Sequence, residues 1–131
     1  MGIYVHVPFC RSKCFYCGFY SVASLTLKEA YLEAVEREIV LRRGYLPRQE
    51  MKTLYFGGGT PSYLEHGDLE RIIRKLEENY LFATGMERTI ELNPEDLVPG
   101  KLQGIKDLGF NRLSIGVQSF SDEQLKRINR T

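Results

Sequence analysis

The chain has 131 residues, of which 43% are hydrophobic and 27% charged, and its formal net charge is +1. This length and composition predict one soluble globular domain, and the balanced charge gives no basis for nucleic-acid binding. The sequence has no signal-like leader and no apolar stretch approaching the roughly 18 residues of a membrane span, so a cytoplasmic protein without a membrane span is expected.

Strand, loop and helix patterns alternate four times along the chain, which predicts a parallel α/β sheet with crossover helices. The predicted strands are residues 3–7, 53–56, 88–92 and 112–117. A helix pattern follows each of them. Gly44 and Pro47 are predicted to end the first helix, and the sequences 26–29 and 121–124 have the spacing of capping boxes.

Four strand–helix units amount to half of an eight-unit TIM-like barrel. The sequence therefore predicts a partial barrel, the N-terminal part of a longer domain, with no internal boundary in residues 1–131. A half-barrel exposes the edge of its fourth strand, so self-association of the isolated chain is expected.

The three cysteines of the chain, Cys10, Cys14 and Cys17, lie in the loop after the first predicted strand. A closed zinc site takes four ligands and a disulfide takes two, whereas three thiolates can hold an iron–sulfur cube with one open iron. The spacing favours the cube. The alternatives are free thiols, or zinc with His6 or His66 as the fourth ligand, in a non-catalytic interaction module.

Other unusual residues follow the remaining strands, and the carboxyl ends of parallel strands are where ligands bind. The glycines in 57–61 permit a close backbone approach to a ligand, or form a tight turn. Glu91 is a candidate for binding an ammonium group or ribose hydroxyls, or is a solvated acid. Gln118 is a candidate for binding a polar group of a ligand, or its amide caps a neighbouring helix. Alternation places Tyr4 and His6 on the face opposite Val5, where an aromatic at the core or rim is the default.

Taken together, these residues resemble the radical S-adenosylmethionine (SAM) superfamily, whose hallmark is a Cys-x3-Cys-x2-Cys loop after strand one of a partial TIM barrel. Four segments, 4–10, 55–62, 91–94 and 112–120, are similar to the oxygen-independent coproporphyrinogen III oxidase family, including its haem-chaperone branch. The likeness extends over essentially the whole chain.

The resemblance implies that Cys10, Cys14 and Cys17 bind a [4Fe–4S] cluster whose fourth iron receives the amino and carboxylate groups of SAM. Reductive cleavage of SAM would then give methionine and a 5′-deoxyadenosyl radical. Residues that line the SAM site in the family correspond here to Tyr4, Tyr16, Gly58, Gly59, Thr60, Glu91, Gln118 and Arg130. Tyr16 is expected to act mainly through its backbone, and residues 58–60 are expected to meet the amino-acid end of SAM.

One position departs from the oxidases. They carry a further cysteine two residues after the third, where this chain has Phe19, as in the haem-chaperone branch. The resemblance therefore implies a haem chaperone in haem or porphyrin metabolism. The alternative is an oxidase that converts coproporphyrinogen propionates to vinyls. The implied partners are haem or a porphyrinogen, an electron donor, and a haem acceptor at a membrane. Residues 1–131 alone are expected not to turn over substrate.

Overall fold

The computed structural model describes residues 1–45 and 49–130. In this part of the chain, parallel strands form one four-stranded sheet in sequence order: β1 (Gly2–Val7), β2 (Met51–Gly58), β3 (Phe82–Leu92) and β4 (Arg112–Ile115). The register places Val5 opposite Phe56, Phe56 opposite Ile90, and Ile90 opposite Leu113. The prediction of a parallel α/β sheet in a partial barrel is confirmed.

Four helices follow the strands in turn: α1 (Lys28–Arg42), α2 (His66–Asn79), α3 (Pro99–Asp107) and α4 (Asp122–Arg127). Short 3-10 turns at Pro61–Tyr63 and Pro94–Asp96 follow β2 and β3. Helix α2 buries Leu69, Ile72, Ile73 and Leu76, the face that its helical spacing predicts. α1 ends at Arg42, before Gly44, and Pro47 lies outside the described residues.

The core lies between the sheet and the helices, and the opposite face of the sheet is open. Val5 and Val7 are buried, whereas Tyr4 is 55% exposed, so the predicted alternation of β1 is confirmed. All four residues of β4 are exposed, and no strand within residues 1–45 and 49–130 pairs with its outer edge. Among the described residues, no helix is long and apolar enough to span a membrane.

Five strand ends differ from those predicted: β1 begins one residue earlier, β2 is two residues longer at each end, and β3 and β4 each differ at one end. β3 begins at Phe82 rather than at Arg88, because Met51 pairs with Phe82 across a register shift and Gly85 adopts a φ of 71° without ending the strand. Because a glycine inside a strand often marks a bulge or a break, the sequence does not show that β3 extends across Gly85. β4 ends at Ile115, two residues early, since Gln118 turns into the left-handed region with a φ of 57°.

The predicted capping boxes were only partly right. At α1 the N-cap is Leu27, and the Thr26 hydroxyl pairs with Ser24 Oγ at 2.8 Å instead of capping the helix. At α4 the Ser121 side chain accepts a hydrogen bond from the Gln124 backbone N–H, while the side-chain Oε1 of Gln124 accepts one from the Ser119 hydroxyl instead of returning to the N-cap. The complete capping box lies at α2, where a glutamate replaces the usual hydroxyl residue.

Candidate functional site

Two adjoining cavities lie at the carboxyl ends of the strands. The cysteine cavity, of about 350 Å³, is lined by all three cysteines together with residues of the loops after β2 and β3. The strand-end cavity, of about 250 Å³, extends from there between the ends of β3 and β4, past Phe19 and Glu91 to Gln118. They share Tyr16, Cys17, Gly58, Gly59, Thr60, Asn93 and Arg130. The structure thus brings together every predicted site residue except Tyr4, which lies nearby on the open face.

Backbone hydrogen bonds hold the cysteine loop at both ends. The Cys10 N–H donates to the Val22 carbonyl at 3.0 Å. On the far side, the Phe15 N–H donates to the Ile128 carbonyl at 3.1 Å, and the Asn129 side chain donates to the Lys13 carbonyl at 2.8 Å. The thiols are free and partly exposed. The residues after α4 therefore fix the loop around Cys14.

The glycine loop that follows β2 packs directly on the cysteine loop. The Gly59 N–H donates to the Val7 carbonyl at 2.7 Å, and a Cβ on Gly59 would lie 2.7 Å from the Phe9 carbonyl oxygen and 3.0 Å from Cys10 Sγ. The Thr60 hydroxyl donates to Cys10 Sγ at 3.7 Å. Glycine is therefore required here for close packing beside the first thiol, in addition to any role in ligand binding.

Glu91 is held in place rather than freely solvated. Its Oε1 accepts a hydrogen bond from the Tyr55 hydroxyl at 2.8 Å, and its Oε2 accepts one from the Gly58 N–H at 3.1 Å. Burial, followed by the hydrogen bond to Glu91, raises the pKa of Tyr55, so the hydroxyl remains a donor. The ring of Tyr4 stacks on that of Tyr55 with centroids 5.8 Å apart. Tyr4 is thereby linked to the carboxylate through Tyr55.

Arg130 joins the ends of β3 and β4 to the cysteine loop. Its guanidinium donates to Asn93 Oδ1 at 2.7 Å and to the Gly116 carbonyl at 2.5 Å. It also donates to Cys14 Sγ at 3.8 Å and to the Tyr16 hydroxyl at 3.4 Å. A fixed cation therefore stands beside the middle thiol. The expectation that Tyr16 acts through its backbone stays a prediction.

Sequence reasoning missed two residues of this network, Tyr55 and Asn93. Tyr55 was part of a family segment and Asn93 preceded a proline, but neither had a pattern that assigns a partner. Tyr55 stands opposite Thr89 in the register, two residues before Glu91, so its hydroxyl reaches the carboxylate only once β2 and β3 are paired. Strand register is the signal that would have identified it.

The donor atoms around the cysteine cavity suit an iron–sulfur cube with an open iron, because the three thiols are the complete cysteine set of the chain. Neither histidine of the zinc alternative lines this cavity. His6 Nε2 is 3.0 Å from the Tyr20 carbonyl oxygen, and the His66 ring lies against Gly104. In residues 1–45 and 49–130, no three His, Cys, Asp or Glu side chains are grouped to hold one metal ion, whereas in a cube each thiolate binds a different iron and the thiols need not meet at one point.

Comparison with known proteins places the chain in a family. The oxygen-independent coproporphyrinogen III oxidase of Escherichia coli (strain K12) is 37% identical over 132 residues, which cover 99% of this chain and 29% of that protein. The heme chaperone HemW of Synechocystis sp. is 42% identical over 134 residues, 97% of this chain and 32% of that protein. The chain thus spans about a third of these relatives.

Among solved structures, coproporphyrinogen III oxidase (HemN) from Escherichia coli, described as a radical SAM enzyme, superposes with a TM-score of 0.92 at 37% identity, covering 99% of this chain and 30% of that one. Residues 4–131 match the Radical SAM superfamily as a whole. That match takes in the cysteine loop, the glycine loop and all four strand ends. The chain belongs to the radical SAM superfamily.

Proposed function

We propose that Cys10, Cys14 and Cys17 bind a [4Fe–4S] cluster and that SAM binds beside it, in the strand-end cavity. The observation that carries this proposal is that three thiols, without a fourth, line a cavity that opens directly onto a second one rich in polar groups. When bound, the cluster and SAM supply the radical chemistry of the superfamily. The chain's own residues bind, orient and shield them.

The polar groups of the strand-end cavity suit the polar ends of SAM. Residues 58–60 present backbone groups to its amino-acid end, while Glu91 and Gln118 bind other polar groups of the cofactor. The Arg130 guanidinium is placed to bind the carboxylate of SAM, and such a pair fixes the orientation of the carboxylate as well as balancing its charge. Tyr4 supports this site from the open face through its stacking on Tyr55.

We further propose that residues 1–131 are the N-terminal part of a longer domain that acts in haem or porphyrin metabolism as a haem chaperone. The chain resembles chaperones and oxidases alike, and Phe19 supports the chaperone. Phe19 lines the strand-end cavity with 66% of its surface exposed, at the position where the resemblance gives the oxidases a further cysteine. The proposed partners are haem, an electron donor and a haem acceptor at a membrane. The proposed location of the protein itself is the cytoplasm.

Anaerobic reconstitution of the complete protein with iron and sulfide tests the cluster. About four iron atoms per chain and a broad visible absorption are expected, and both should be lost in Cys14→Ser. Lys13→Ala is the matched control in the same loop and should retain both. One equivalent of zinc with no iron uptake would overturn the proposal in favour of the interaction module.

The choice between chaperone and oxidase is tested on the reconstituted complete protein. Haem binding and transfer are expected, with no release of carbon dioxide from coproporphyrinogen under anaerobic, reducing conditions. The variant Phe19→Cys tests whether this one position decides between the chaperone and the oxidase. Carbon dioxide release by the unmodified protein, without haem transfer, would establish the oxidase instead.

A further inference from the structure

A buried carboxylate next to two residues that line the cysteine cavity, Arg11 and Glu95, takes no part in the function proposed above. Asp96, in the turn after β3, is 1% exposed. Its Oδ2 accepts a hydrogen bond from the Ser62 hydroxyl at 2.5 Å, and its Oδ1 accepts from Lys101 Nζ at 2.6 Å and from the Arg11 guanidinium at 3.3 Å. A buried carboxylate persists only with such partners. Asp96 therefore connects three chain segments: its own, which follows β3, and those that follow β1 and β2.

Those two segments also form the contact around the first thiol. Arg11 is the residue after Cys10, and Ser62 lies two residues after Thr60, whose hydroxyl donates to Cys10 Sγ at 3.7 Å. Asp96 is bonded to the chain on both sides of this contact. The position of Cys10 relative to the glycine loop is thus coupled to one carboxylate.

Arg11 is suited to transmit that coupling because its guanidinium has three oriented contacts. Besides Asp96, its Nε lies 3.2 Å from Glu95 Oε1, and its guanidinium carbon lies 5.6 Å from the centroid of the Tyr63 ring. The planar guanidinium of an arginine maintains several oriented contacts better than the flexible ammonium of a lysine does. The side chain is 50% exposed, so its ion pairs contribute little to overall stability.

We propose that Arg11 is a positioning residue, anchored by Asp96 and Glu95, that fixes Cys10 against the glycine loop. Its importance for the cluster rests on the proposed function, whereas its effect on the free thiol does not. Without the anchor, the segment that begins at Cys10 opens locally while the sheet and helices remain folded.

Lys101 provides a matched control. It donates to the same oxygen of the same buried carboxylate, at a shorter distance than Arg11 does, but it belongs to α3 rather than to the cysteine loop. Arg11→Met and Lys101→Met each remove one cation from Asp96 and keep an unbranched side chain. A general loss of stability would affect both variants, whereas a loss of positioning would affect only the first.

The experiment uses the complete protein, reduced, metal-free and anaerobic. Iodoacetamide labelling of each cysteine is followed by mass spectrometry, with thermal unfolding measured in parallel. Arg11→Met should raise the labelling rate of Cys10, relative to that of Cys17, about fivefold. Lys101→Met should leave this ratio within about twofold of the unmodified protein while lowering the melting temperature at least as much. Arg11→Lys should fall between.

An unchanged ratio in Arg11→Met, or an equal rise in both variants, overturns the proposal. Reconstitution is a separate arm of the experiment. If the unmodified protein takes up no cluster, the proposed function fails while the labelling result stands. If the cluster forms normally and only the labelling ratio is unchanged, the positioning role fails and the proposed function stands.

Discussion

The Tyr55 hydroxyl donates a 2.8 Å hydrogen bond to Glu91 Oε1 from the neighbouring strand. The Gly58 N–H binds the other carboxylate oxygen at 3.1 Å, so the carboxylate is oriented before any ligand arrives. Preorganisation of this kind lowers the ordering cost of binding. Tyr55 is therefore a support for the proposed SAM site that does not itself line either cavity.

Tyr55→Phe removes that hydroxyl and keeps the ring on which Tyr4 stacks. We expect about a tenfold weaker affinity for SAM, because a hydrogen bond to a charged group is lost while packing is preserved. The measurement is isothermal titration of the reconstituted complete protein. Tyr20→Phe, in an exposed residue outside the lining of both cavities, is the control. Equal affinities in all three proteins would contradict the role given to Tyr55.

Gly59→Ala should destabilise the fold by about 2 kcal/mol and impair cluster uptake, because overpacking displaces neighbouring groups. The new Cβ would lie 2.7 Å from the Phe9 carbonyl oxygen and 2.9 Å from that of Val7. Gly67→Ala is the control, since nothing lies within 4 Å of its Cβ in α2. It should stabilise the protein by about 0.5 kcal/mol. Urea unfolding distinguishes the two, and equal midpoints would refute the packing argument.

Asp96→Asn should destabilise the protein at neutral pH by about 2 kcal/mol, since it leaves Lys101 and Arg11 without their carboxylate. Burial alone would raise the pKa of Asp96, but hydrogen bonds from Lys101 and Ser62 outweigh burial and hold that pKa below its usual value. The unfolded chain therefore binds the proton more readily than the folded one does.

The sign of the pH dependence follows from that lowered pKa. The contribution of Asp96 should be complete above its unfolded pKa of about 3.9 and should be lost as the pH falls through the lower folded pKa. Urea unfolding between pH 7 and about pH 3 should show the difference between the unmodified protein and Asp96→Asn shrinking below about pH 4. A constant difference over that range would exclude this account.

The isolated polypeptide 1–131 should self-associate through β4. The strand has an unpaired edge, and Leu113 and Ile115 are each 40% exposed. Ile115→Lys should shift sedimentation towards the monomer, because an inward or edge charge opposes strand pairing. Leu41→Lys, which removes an 83% exposed residue of α1, should leave the distribution unchanged. A monomer at high concentration for the unmodified polypeptide would contradict the prediction.

The number and order of strands were predictable because each has a local apolar pattern, and α2 has a complete helical face. The gathering of the site at one edge followed from the parallel arrangement. What escaped prediction depends on contacts distant in sequence. Asp96 meets Arg11, and Tyr55 meets Glu91, only after the strands have found their register. A local motif can also mislead. The predicted capping box at Thr26 does not form, because the Thr26 hydroxyl pairs with the Ser24 hydroxyl instead.

The hydrogen bonds between the residues after α4 and the cysteine loop join positions more than a hundred residues apart. During synthesis Ile128 and Arg130, which hold Phe15 and Cys14, are made more than a hundred residues after the three thiols. A shorter nascent chain has the thiols without these contacts, and non-local contacts form late in folding. The cysteine loop therefore reaches its final shape only after residue 130 has been made, and the proposed cluster should be inserted only after that point.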